Sequence, residues 1–205
     1  MSSPIHTVLI AAVSADGKIA DQQGDQSTLT NAADRAHLAS YLRAADLLLV
    51  GRCTFEEHQA VLQRYRCVVA TRSPLTFDAT ASKTPHTGLW QIPNGPILWT
   101  PDLVSFPELC QHLQVTSPCI VGGSKLYTTA RRAGWVDELV LTYVPDINLS
   151  GGISLFEDLP DETVWHKLSS GQVGFTLAEE TSLSGSAPNS RWQVRHYRRE
   201  TKSSH

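Results

Sequence analysis

Three short segments of this chain could handle phosphate. They are Gly51-Arg52-Cys53-Thr54, Thr71-Arg72-Ser73 and Gly122-Gly123-Ser124-Lys125; each follows an apolar run, and the first and last precede a helical pattern. Helix N-termini offer free N–H groups and a positive dipole end to an anion. Glycine lets the anion approach the backbone closely. Arg52, Arg72 and Lys125 add charge, so the three segments together resemble a cradle for a phosphorylated dinucleotide. Each glycine also has a plain reason to be there, because a chain leaving a strand must turn. The spaced glycines of a Rossmann fingerprint and the lysine loop of a Walker site are both absent.

A second set of residues could move protons. Asp34 can protonate a ring nitrogen or an imine, provided burial raises its pKa toward working pH. As an early helix residue it also complements the helix dipole. Lys18 can donate a proton or bind an anion, or simply be a solvated charge. Thr30 can hydrogen-bond a substrate or begin a helix. Asp16-Gly17 can lie over a bound ring, yet the same dipeptide is an ordinary turn. The eight histidines and four cysteines form no cluster with metal-ligand spacing, so no metal is expected.

The elements that must position these residues alternate. Apolar runs over 7–13, 47–50, 67–70, 97–99 and 119–121 read as strands buried on both faces, and 138–144 is strongly β. Residues 34–45 have helical periodicity, with Asn31 as N-cap and Asp34 three residues on. Thr54-x-x-Glu57 and Ser105-x-x-Glu108 read as capping boxes, and Gly134 as the stop of a helix over 124–133. The stretch 73–96, with four prolines, is the least regular, and either has function or hides a short strand. After Pro145 helical signals vanish. Residues 163–168, 175–183 and 192–198 read as strands, the last two forming an antiparallel hairpin. The fold class expected is α/β, with a mixed, mainly parallel central sheet and an antiparallel C-terminal edge. Trp135 is expected to pack, Asp137-Glu138 to face solvent, and Arg191, Arg195, Arg198 and Arg199 to form a solvated strand face.

Length and charge bound the remaining classes. The 205 residues suggest one domain, 1–205, with a frayed tail over 199–205. A net charge of −3 gives no footprint for nucleic acid. Four cysteines without a CxxC pair suggest reduced thiols. No apolar run is long enough for a membrane span, so a cytoplasmic protein is expected.

The segment Thr7-Val8-Leu9-Ile10-Ala11-Ala12-Val13-Ser14-Ala15-Asp16-Gly17-Lys18-Ile19-Ala20 resembles the opening strand of the reductase domain of riboflavin-biosynthesis deaminase-reductases. Ala33-Asp34-Arg35, and Leu42 through Gly51-Arg52-Cys53-Thr54, are similar to the next element of that family. Ile120-Val121-Gly122-Gly123-Ser124-Lys125-Leu126 resembles its paired-glycine helix, and Gly134 through Leu141 the strand that follows. The same order resembles dihydrofolate reductase, which shares the fold. The likeness covers roughly 5–200, and no deaminase zinc domain is expected with it.

The resemblance implies a stand-alone reductase with a dihydrofolate reductase-like three-layer fold and NADPH as cofactor. Gly51, Arg52 and Thr54 would contact cofactor phosphates. Thr71, Arg72 and Ser73 would surround the adenosine 2′-phosphate. Gly122, Gly123, Ser124, Lys125 and Leu126 would wrap the pyrophosphate and nicotinamide side. Asp34, Lys18 and Thr30 would serve the substrate. The implied substrate is 5-amino-6-(5-phosphoribosylamino)uracil or a related diaminopyrimidine. Dihydrofolate or another pterin is the alternative, and a non-catalytic nucleotide-binding module is a third reading. A homodimer is implied as well. Two departures from the riboflavin enzymes stand out. Val121 occupies the place of an acidic residue before the glycines. Phe55-Glu56-Glu57-His58-Gln59 replaces the segment whose arginine helps hold the substrate phosphate. Asp34 falls near the position of the carboxylate on the first helix of the folate enzymes.

Overall fold

A computed structural model describes residues 4–77, 80–84, 88–159, 163–183 and 191–200. In chain order the elements are β1 (Val8–Ser14), β2 (Lys18–Ala20), a 3-10 turn (Ser27–Leu29), α1 (Ala32–Ala44), β3 (Leu47–Gly51), α2 (Arg52–Leu62), β4 (Cys67–Ala70) and α3 (Pro74–Phe77). They continue with β5 (Ser82–Lys83), β6 (Leu89–Gln91), β7 (Ile97–Trp99), α4 (Phe106–Leu113), β8 (Pro118–Ile120), α5 (Ser124–Arg132) and β9 (Glu138–Val144). The last are β10 (Ile153–Ser154), α6 (Val164–Ser169), β11 (Phe175–Ser182) and β12 (Gln193–Arg199).

The expected sheet is present. Its order is β11-β12-β9-β1-β8-β3-β4-β7-β6-β5. The six strands from β9 to β7 are parallel, while β11-β12-β9 and β7-β6-β5 pair antiparallel. Alternation along β3 shows why such strands read as continuous apolar runs. Leu47 and Leu49 pack with α4, α5 and α6 on one face. Leu48 and Val50 pack with α1 and α2 on the other. Helices therefore cover both faces, in three layers.

Several local expectations need correction. Residues 163–168 belong to a helix, α6, not a strand. Val164 and Leu168 are both buried, and their spacing of four puts them on one helical face. Packing outweighs the β-propensity of Val164 and Trp165. The stretch 73–96 holds α3, β5 and β6, the last two forming the second antiparallel edge, which was not expected. Helix α2 begins at Arg52 with Gly51 as N-cap and no side-chain cap, so Thr54 does not open it. Gly51 N donates to Gly122 O at 3.1 Å, which ends the strand there and starts the helix at once. The Ser105–Glu108 capping box is complete, and Gly134 ends α5 at φ +76°.

The basic run near the C-terminus is not a plain solvated face. The Arg195 guanidinium lies 3.9 Å from the centre of the Tyr143 ring and bonds Glu180 at 2.6 Å. Arg199 donates to Val136 O at 2.5 Å, and Arg191 pairs with Asp146. Asp137 accepts from Thr7 N at 2.8 Å, and Glu138 sits between His196 and His6, so neither simply faces water. Trp135 packs as expected, stacked on Phe106 with ring centres 5.0 Å apart. Arg199 closes β12 rather than opening a tail. Residues 201–205 lie outside the described residues, as does the turn 184–190 of the C-terminal hairpin. Among the described residues no helix is long and apolar enough to cross a membrane.

Candidate active site

A cleft of about 1110 Å³ opens along the carboxyl ends of the central parallel strands. Ligands collect at this end of open α/β sheets because the strand-to-helix junctions there leave N–H groups unpaired. All the residues expected at the site line the cleft, except Lys18.

The first junction pair is built by close backbone contact. β3 and β8 are parallel neighbours, which brings Gly51 beside Gly122-Gly123. A Cβ on Gly51 would stand 3.5 Å from Gly122 O, and one on Gly123 would stand 3.5 Å from Gly51 Cα. Gly123 holds φ +94°, a conformation that favours glycine. The N-termini of α2 and α5 thus converge. Ser124 opens α5 and its Oγ is buried without a hydrogen-bond partner among the described residues. Such an orphan at a helix N-terminus fits a phosphate oxygen as its acceptor. Lys125 is exposed beside it, and Leu126 is buried in the cleft wall.

The second junction follows β4. Thr71 N donates to Trp99 O at 2.9 Å, and Thr71 Oγ1 accepts from Ser73 N at 3.2 Å. This turn presents the exposed Arg72 at the cleft.

Across the floor lies Asp34. Asn31 Oδ1 accepts from Asp34 N at 2.9 Å, which fixes the first turn of α1. Asp34 is only 4% exposed, and Thr142 of β9 hydrogen-bonds its carboxyl. Burial pushes its pKa up from the ordinary aspartate value, against the opposing pull of the Thr142 bond and the Arg35 charge. Ala11 and Ala12 of β1 also line the cleft, and their small side chains keep the floor open. Thr30 lines it too, with its Oγ1 3.5 Å from Ser27 O.

Lys18 is placed elsewhere. It is buried in β2, and its Nζ donates to Ser154 Oγ at 3.1 Å. Asp16 is outside the cleft wall as well. It accepts from Ser14 Oγ at 2.5 Å and from Leu149 N at 3.0 Å, while Gly17 turns at φ +79°. Asp16-Gly17 is thus a tied turn from β1 into β2.

Sequence reasoning missed Thr142, Glu57 and Arg132 as cleft residues. Thr142 carried one signal: it is the polar residue within the buried run of β9. Glu57 was read as part of a cap. Among the described residues no three His, Cys, Asp or Glu side chains gather to hold a metal.

Comparison with known proteins agrees with the fold. YwjB of Bacillus subtilis (strain 168), itself uncharacterised, is 28% identical over 177 residues, covering 82% of this chain and 92% of that one. A protein of Shewanella sp. PV-4 assigned to riboflavin biosynthesis has the same fold at 18% identity and a TM-score of 0.66, with 96% of this chain and 100% of that one covered. The Thermotoga maritima diaminohydroxyphosphoribosylaminopyrimidine deaminase/5-amino-6-(5-phosphoribosylamino)uracil reductase gives 17% identity and a TM-score of 0.67. That match covers 96% of this chain and 57% of the longer protein. Dihydrofolate reductase from Enterococcus faecalis, complexed with NADP(H), gives 16% identity and a TM-score of 0.60 over 96% of this chain and 97% of that one. The fold is therefore dihydrofolate reductase-like. Residues 6–175 match the RibD C-terminal domain, and with that match across most of its length the chain belongs to the RibD C-terminal domain family.

Proposed function

We propose that this protein is an NADPH-dependent reductase of a small nitrogen heterocycle of the aminopyrimidine or pterin kind. One observation carries the reading. A buried carboxyl with a raised pKa, Asp34, shares a single cleft with a paired-glycine cradle and four cations. Family membership supports it, as does the NADP(H) bound by the Enterococcus relative in fold.

The residues present fit the cofactor. Ser124 Oγ and the N-termini of α2 and α5 would meet the pyrophosphate, with Arg52 and Lys125 balancing its charge. Arg72, Thr71 and Ser73 would hold an adenosine 2′-phosphate. When bound, a dihydronicotinamide supplies a hydride to an electrophilic carbon. The chain supplies orientation and the proton. Asp34 holds a proton at higher pH than a solvated aspartate would, and it can release that proton to the nitrogen of a C=N bond as its carbon is reduced. Thr142 keeps the carboxyl turned toward the cleft. The product is the amine, with one C–H and one N–H bond formed.

The substrates in view are 5-amino-6-(5-phosphoribosylamino)uracil and its diaminopyrimidine relatives on one side, and dihydrofolate or simpler pterins on the other. Asp34 on α1 favours neither, because both rings carry nitrogen atoms that a carboxyl can meet. The test is a titration of the five tryptophans with NADPH, followed by cofactor oxidation assays on pyrimidines and pterins. Quenching together with turnover is expected. Absence of quenching at near-millimolar NADPH overturns the reading. Binding without turnover on the whole panel favours a nucleotide-binding module.

A further inference from the structure

The cations lining the cleft are gathered on one side. Arg52, Arg72 and Lys125 stand at the three strand-to-helix junctions, and Arg132 lies farther along the Lys125 face of α5. Two carboxylates accompany them there, Asp102 after β7 and Glu157, whose N–H donates to Thr128 of α5. The opposite side is formed by β2, the segment 21–26, α1 and the second turn of α2. Its charged side chains in the cleft wall, among the described residues, are Asp34 and Glu57.

Contacts hold this side in place. A Cβ on Gly24 would stand 3.4 Å from Glu57 Oε1, so the 21–26 segment and α2 meet at the mouth. The Gln26 side chain hydrogen-bonds His58, Nε2 to Nε2, at 2.6 Å, which ties the same segment to α2 a second time. The Lys18 ammonium bonds Ser154 below, and Arg35 is exposed and outside the cleft wall. The cleft thus contains two chemistries. One end matches anions with guanidinium groups, an ammonium group and helix N-termini. The other presents two carboxyl groups, one of them already resisting ionisation through burial.

We infer that the substrate carries neither a phosphate nor a carboxylate tail. It is a neutral or cationic aminated heterocycle, and any hydroxyl or amine tail meets Glu57 and Gln26 at the mouth. The inference rests on the reductase reading above and narrows it to one substrate class. A phosphate placed on this side would meet the Glu57 carboxylate as like charge and would find no cation in the wall, and unmatched like charge selects against a ligand. Hydroxyls meet the same groups as hydrogen-bond partners. Glu57 accepts, and Gln26 both donates and accepts.

The experiment compares matched pairs for binding to the protein–NADP⁺ complex and for turnover with NADPH. One pair is 5-amino-6-ribosylaminouracil and its 5′-phosphate. The other is a tail-free dihydropterin and dihydrofolate, which carries a glutamate. In at least one pair the tail-free member is expected to bind about tenfold tighter than its anionic counterpart. Glu57→Gln and Glu57→Lys are expected to shrink that gap stepwise while NADP⁺ affinity stays unchanged. Glu57 is exposed, so both variants fold. Equal or tighter binding of the anionic member in both pairs overturns the inference. So does failure of all four compounds to bind a complex that holds NADP⁺. Failure to bind NADP⁺ at all is a different result, because it removes the reductase reading and this inference with it.

Discussion

Gly122 and Thr54 touch so closely that no side chain fits between them. A Cβ on Gly122 would stand 2.3 Å from Thr54 Cγ2 and 2.8 Å from its Oγ1. Thr54 belongs to α2 and Gly122 to the turn after β8, so this contact sets the spacing of the two helix N-termini. It also accounts for Thr54 not capping α2. Its side chain is held against the glycine turn instead.

Gly122→Ala is therefore expected to destabilise the fold by about 1–3 kcal/mol, the usual cost of overpacking. Urea denaturation measures it. NADPH affinity falls with it, because the α2 and α5 N-termini are forced apart. Thr54→Ala removes the two nearest atoms and leaves Thr54 Cβ at 2.9 Å, so the double variant recovers part of the lost stability. Additive losses in the two variants would contradict the contact.

Asp34→Asn separates stability from activity. Burial raises the Asp34 pKa above the ordinary 3.8. As pH climbs past 3.8, the unfolded chain releases this proton first, so the folded state loses relative stability until its own raised pKa is passed. Asparagine has no such loss. The variant is expected to gain on the parent as pH rises through that window, and to match it below pH 3.8. Turnover is expected to fall by about a hundredfold or more, the usual worth of a positioned acid. Denaturation midpoints across pH, beside steady-state rates, check both halves.

Arg72→Ala is expected to lower the preference for NADPH over NADH by about tenfold, since one hydrogen bond to a charged group contributes about 1.5–3 kcal/mol. NADH affinity should stay unchanged. A constant NADPH/NADH ratio would remove Arg72 from the 2′-phosphate site.

The cysteines offer a probe of the cleft that needs no substrate. Cys53 is exposed and lines the cleft, while Cys67, Cys110 and Cys119 are buried. Burial pushes the thiols of those three up to about 12. A thiol reagent is expected to label Cys53 quickly and the others only on unfolding. NADPH is expected to slow the Cys53 reaction. Labelling that ignores saturating NADPH would place the cofactor elsewhere.

Much of this architecture is legible in the sequence because its signals are local. A strand buried on both faces must be apolar at every position, and Leu47-Leu48-Leu49-Val50 shows this directly. The Ser105–Glu108 box and Gly134 are helix ends written within four residues. The two glycine junctions are visible for the same reason. The misread elements are those where local and global preferences disagree. In α6, Val164 and Trp165 suggest a strand, yet burial of Val164 and Leu168 on one side selects a helical turn. In α2, the Thr54 box is a sound local signal that the contact with Gly122 overrides.

The sequence by itself determined the layered α/β architecture, the glycine and cation pattern of the cradle, and the candidacy of Asp34. Tertiary structure alone decided what those groups face. Thr142 reaches the Asp34 carboxyl only because β9 lies beside β1 in the sheet. Lys18 belongs to the same sequence motif as β1, yet its ammonium is bound to Ser154, far along the chain, and leaves the cleft wall. Glu57 becomes a wall of the mouth because the 21–26 segment folds onto α2. Burial, and the sign of the charge around a ligand, are sums over residues distant in sequence. Local pattern can nominate a carboxyl, but only packing determines how much water it loses and which charges surround it.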